Sequence, residues 1–153
     1  MSRFQALVIV SALSGLLALG CGGEAAGEHD PMVEGPAPAS AVGVWTYQSV
    51  TVNGASANLA DFLDWVPGAV AAELQILGSG AFVYQEVDGT GAQLWFESGF
   101  VFFNDAGEVD VNVQQDVSGM VSRMSSFTYA ISNDTLTLGQ LGGADLVVFT
   151  LVR

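Results

Sequence analysis

From residue 41 onward, apolar and polar residues alternate with a period of two, the spacing of strands with one wet face. The stretch VGVWTYQSVTVNG (42–54) sets Val44, Thr46, Gln48, Val50 and Val52 on one face and Trp45, Tyr47, Ser49 and Thr51 on the other, then ends in the turn pair Asn53-Gly54. The period then switches. Leu59, Phe62, Leu63 and Val66 fall at i, i+3, i+4 and i+7, which predicts a short helix capped by Ser56 or Asn58, stopped by Pro67, with Asp61 and Asp64 facing solvent. Strands are predicted next near 72–77, 81–87, 92–97, 99–104, 108–114, 126–132, 134–139 and 145–152. Gly, Asn and Asp turn residues separate them, such as Gly78-Ser79-Gly80 and Asp88-Gly89-Thr90-Gly91. Short, closely spaced strands with hairpin connections predict an all-β domain of about eight strands, an up-and-down barrel or a sandwich.

The N-terminal residues follow a different grammar. Met1 and Arg3 precede an uncharged stretch from Ala6 to Leu19, then Gly20 and the only cysteine, Cys21. A positive start, an apolar run too short to span a bilayer and a small residue at the cut make a secretory signal peptide. Leu17-Ala18-Leu19-Gly20-Cys21 resembles the lipobox of bacterial lipoproteins. That resemblance implies a diacylglycerol on the Cys21 sulfur, cleavage between Gly20 and Cys21, and acylation of the new amine, commonly with palmitate. Gly22 stands where an Asp would favour retention in the inner membrane, so the resemblance implies an outer-membrane anchor facing the periplasm. An ordinary signal peptide that leaves Cys21 as a free thiol is the alternative; a lone cysteine forms no internal disulfide, and its place at the cut favours lipidation.

Residues 22–40, rich in Gly, Ala, Pro and acid, have little to bury and read as a disordered tether with roughly 25 Å of reach. The organisation is therefore a signal peptide at 1–20, a lipidated cysteine and tether at 21–40, and a barrel domain at 41–153.

Charge narrows the chemistry. Sixteen acidic residues face three basic ones, for a net charge of −13. Phosphate backbones are neutralised by Lys and Arg, so nucleic acid is excluded as a partner. The chain has no lysine, which removes P-loop, Schiff-base and Ser-x-x-Lys chemistry. The sole histidine, His29, lies in the tether and leaves the folded part without a triad base or a zinc ligand set. No cofactor and no catalysis are expected. Glu86 and Glu97 invite a two-carboxylate mechanism, but in so acidic a chain two carboxylates on neighbouring strands arise by chance. Asn104, Asp105, Glu108 and Asp110 fit a hairpin turn better than a calcium loop.

Gly43-Val44-Trp45 resembles the Gly-x-Trp that opens the first strand of lipocalin-like domains, and Arg153 ends the last strand, DLVVFTLVR. A glycine turn before an aromatic strand (Gly80 to Tyr84) and a Leu-x-Leu strand (Leu136, Leu138) fit the same pattern. The resemblance covers about residues 41–153. It implies a small antiparallel lipocalin-like up-and-down β-barrel with one short helix after the first strand, closed at its base by Gly43, Trp45 and an Arg153 that packs across the tryptophan. It also implies an interior that holds one small apolar ligand or is filled by side chains. The ligand-binding candidates are Trp65, as part of a lid, with Phe82, Tyr84 and Trp95 on the barrel wall. Two readings follow: a membrane-anchored module that binds or carries a small apolar ligand, or an envelope structural protein with a filled barrel and a protein partner.

Overall fold

The computed structural model describes residues 36–63 and 66–153. Its strands are β1 (Gly43–Val52), β2 (Ala55–Ala57), β3 (Ala71–Ile76), β4 (Ala81–Val87), β5 (Gln93–Phe103), β6 (Glu108–Asp116), β7 (Gly119–Ser132), β8 (Thr135–Gln140) and β9 (Val147–Val152). Each strand from β3 to β9 pairs antiparallel with the next, and β1 pairs with β3 on one edge and β9 on the other. Of nine strands, the eight other than β2 thus close into an up-and-down barrel, the architecture expected of a lipocalin-like domain. Closure satisfies the edge hydrogen bonds that an open sheet would leave exposed.

The expected helix is a single 3-10 turn, Leu59–Asp61, with Asn58 as its cap. So short a segment makes too few hydrogen bonds to offset helix nucleation. One turn also suffices to pack Leu59 and Leu63 against the barrel core, and the Leu63 amide still reaches the Leu59 carbonyl at 3.2 Å. The segments expected at 92–97 and 99–104 are one continuous strand, β5, because Gly99 does not break it. A Cβ on Gly99 would lie 1.9 Å from the Asn112 carbonyl oxygen, so glycine here serves a close approach of β6 at a register shift. β7 begins at Gly119, well before the expected strand at 126–132, because its first residues continue the ladder with β6.

A register shift between Tyr47 and Ser49 resolves the pattern of β1. Strict alternation puts Trp45 and Val50 on opposite faces, yet both are buried, at 0% and 1% exposure. The extra residue at the bulge turns the second half of the strand over, so that each half presents its apolar side to the core.

Most of the large, fully buried side chains lie at the end of the barrel where β1 begins and β9 ends. Trp45, Ile76, Leu136 and Leu151 are fully buried there, with Ala41 beneath them. The Trp45 Nε1 donates to the Ala41 carbonyl at 2.8 Å, and the Ala41 amide donates to Pro38, so residues 38–41 fold under the barrel as a turn. The Arg153 guanidinium lies 4.5 Å from the Trp45 ring centroid and donates to the carbonyls of Val42 and Asn133 and to the Asp134 carboxylate. Gly43, at φ 145°, passes directly beneath that guanidinium, where a Cβ would sit 3.6 Å from an arginine nitrogen.

Candidate ligand site

Above this sealed base the interior is not filled. A cavity of about 270 Å³ runs up the barrel to its open end. Its walls are the inward residues of successive strands: Leu74 of β3, Phe82 and Tyr84 of β4, Val101 of β5, Val111 and Val113 of β6, Phe127 of β7, Leu138 of β8 and Phe149 of β9. Phe62 and Leu63, from the segment that follows β2, stand at the mouth, where Phe62 is 39% exposed. Period-two alternation on strands of a closed barrel makes such a lining unavoidable, because every second residue must point inward.

Polar groups on the wall are few. They are Tyr47, Tyr84, Glu97 and Ser125. Tyr47 packs edge-on against Tyr84 and Phe149, each with centroids 5.8 Å apart, which holds its ring across the cavity. Burial pushes the Tyr47 phenol above its ordinary range, and the Glu97 charge pushes it further, so the hydroxyl stays protonated. The Tyr84 hydroxyl donates to Glu86 at 2.7 Å.

Glu86 is fully buried, and its other oxygen accepts the Val66 amide at 2.8 Å. That carboxylate therefore pins the segment after the 3-10 turn to the barrel wall. Glu97 takes the Arg123 guanidinium at 2.6 Å, and Arg123 also meets the buried Asp116 at 3.3 Å. Ser118 holds Asp116 in turn, through its hydroxyl at 2.5 Å and its amide at 2.7 Å. These hydrogen bonds first, and the Arg123 charge second, keep the Asp116 carboxyl below its ordinary value.

Of the residues singled out from sequence, Phe82 and Tyr84 stand on the cavity wall together, while Trp95 lies outside this lining. Trp95 pairs with Glu86 across β4 and β5 and packs against the core, with its Nε1 buried and unpartnered among the described residues. Gly43, Trp45 and Arg153 converge at the base. Trp65, Gly20 and Cys21 lie outside the described residues. Asn104 and Glu108 make the β5–β6 turn, where Asn104 accepts the Ala106 and Glu108 amides and donates to the Glu108 carboxylate. Tyr47 and Arg123 carry no site expectation from the sequence, and Leu138 enters it only through the Leu-x-Leu strand. For Tyr47, parity with Trp45 was the available signal; Arg123 sits in a stretch, GMVSRMSS, with no clear alternation to announce a strand.

No family model matches this chain, and neither a curated protein nor a solved structure matches it.

Proposed function

We propose that this protein is a lipid-anchored lipoprotein of the cell envelope whose barrel binds or carries a small apolar ligand. The cavity is the observation that carries this reading: about 270 Å³ of space with mainly apolar walls and an exposed phenylalanine at its mouth. Ligand sites commonly start near 300 Å³, so the ligand is a small one. Moving an apolar molecule from water into such walls is favourable by roughly 25 cal/mol per Å² of surface removed from water.

Anchoring rests on Leu17 to Cys21 and on the absence of any second cysteine to pair with it. One acyl chain holds a protein to a membrane only marginally, whereas two or more make a stable anchor. Outer-membrane placement facing the periplasm rests on Gly22 and belongs to the same proposal. The described chain enters the barrel at its closed base, opposite the mouth. In this reading the protein is a binding module and not an enzyme: Glu86 serves Tyr84 and Val66, and Glu97 serves Arg123.

Native mass spectrometry tests the binding half on the full chain carrying Cys21→Ser, which has no acyl chain to confuse the result. A small-molecule mass that co-purifies, or is taken up from a lipid extract and leaves on organic extraction, is expected. A clean apo mass with no uptake overturns it in favour of a structural protein with a protein partner. Loss of detergent partitioning on Cys21→Ser is expected of the anchor; unchanged partitioning contradicts it.

A further inference from the structure

We propose that the mouth of the barrel docks on a bilayer of zwitterionic lipid through an apolar rim that surrounds the cavity. Each of the four connections at this end presents large apolar side chains to solvent. They are Phe62 and Val70 between β2 and β3, Leu94 where β5 leaves its turn, Val117 and Met120 between β6 and β7, and Leu146 before β9. Met120 is 82% exposed. At the base, among the described large apolar residues, only Val44 and Leu77 are comparably exposed. Apolar residues scattered singly are ordinary, whereas a ring of them at one end marks a surface for a membrane or a partner.

Composition favours lipid over protein as the occupant. Protein hot spots are rich in Trp, Tyr and Arg and poor in Leu and Val, whereas the described rim is Val, Leu and Met around one Phe. Its carboxylates are engaged within their own turns: Asp88 accepts the Thr90 hydroxyl at 2.7 Å, Ser118 holds Asp116, and Asp145 accepts the Asn53 side chain at 2.8 Å. The four connections contain no Lys or Arg, and the chain carries a net charge of −13, so anionic headgroups are repelled and a zwitterionic surface is left. The anchor of the proposed function brings that surface within reach. Residues 22–35 extend to about 45 Å, against roughly 33 Å for β1 from base to mouth, so a barrel held at Cys21 can lay its mouth on the membrane that holds it. That reach rests on the anchor reading; the rim itself does not.

Flotation with phosphatidylcholine vesicles tests the rim on the mature chain, residues 21–153 carrying Cys21→Ser, which lacks both an acyl chain and the apolar run 6–19. The protein is expected to float at millimolar lipid, and replacing part of the lipid with phosphatidylglycerol should weaken binding at low salt. Met120→Asp and Leu146→Asp, each added singly, should weaken binding at least about tenfold. Leu77→Asp at the base should leave it within about twofold, with the unfolding midpoints of all three close to the parent's. No flotation, a preference for phosphatidylglycerol, or equal losses from the base and rim variants overturns the docking. A dimer in sedimentation velocity that Met120→Asp dissolves gives the rim to a second copy of the chain and overturns it as well. Each of these failures leaves the ligand and anchor readings standing, because mass spectrometry and detergent partitioning test those separately.

Discussion

At the base of the barrel Trp45 is wholly buried between Ala41 and the Arg153 guanidinium, whereas at the mouth Phe62, Val70, Leu94, Val117, Met120 and Leu146 stand exposed. The same alternation of inward and outward residues builds both ends. They differ in what finishes them. Large side chains, a turn from residues 38–41 and a multiply bonded arginine fill the base; the mouth ends in hairpin turns and a pinned segment around open space. In the proposed reading, stability belongs mainly to one end and binding to the other.

The largest effect that would break this comparison is at Trp45. Trp45→Ala removes a fully buried ring, its hydrogen bond to Ala41 and the contact with Arg153, and should cost about 3–5 kcal/mol in urea unfolding. A loss below about 1 kcal/mol, the size of an average substitution, would show that the base is not where stability is held. Arg153→Ala keeps the ring but uncovers it and should cost about 1–2 kcal/mol by the same assay. Leu138→Phe adds volume to a wall of the open cavity, so stability should change by less than about 1.5 kcal/mol, while uptake of decanol should fall at least about tenfold.

Acid sharpens the comparison with the smallest effect. Asp88 and Asp116 both cap turns at the open end, and hydrogen bonds from Thr90 and Ser118 respectively hold their carboxyls below the ordinary value of 3.8. A depressed carboxyl contributes stability that is present above its unfolded value and is lost as pH falls through its folded value. Unfolding midpoints should therefore drop as pH falls below about 4. Asp116→Asn should flatten part of that slope, whereas an unchanged slope would remove Asp116 from the account.

Much of this fold was legible in the chain because a barrel wall obeys a simple local rule. Phe82, Tyr84 and Glu86 share a face in the sequence and are all buried in the structure. The rule failed where strands departed from regular pairing. Nothing local in Tyr47-Gln48-Ser49 marks the bulge that turns Val50 inward, since the cause is the partner strand β9. The Ser98-Gly99 step read as a boundary between two strands, because a glycine looks alike whether it opens a new strand or admits a neighbouring backbone. The helix expected over 59–66 had the right spacing but needed only one turn to bury Leu59 and Leu63. The site was legible by face and not by depth: Phe82 and Tyr84 could be found, but the pairing of Arg123 with Glu97 joins β7 to β5 across the intervening β6.

The most direct test of a barrel sealed at its base and receptive above it is methyl-resolved NMR of the full chain carrying Cys21→Ser, titrated with decanol. The account predicts shifts at the cavity methyls of Leu74, Val101, Val113 and Leu138, with little change at the base methyls of Leu136 and Leu151. Shifts confined to exposed rim residues such as Val117 and Leu146, or no shifts at all, would contradict it.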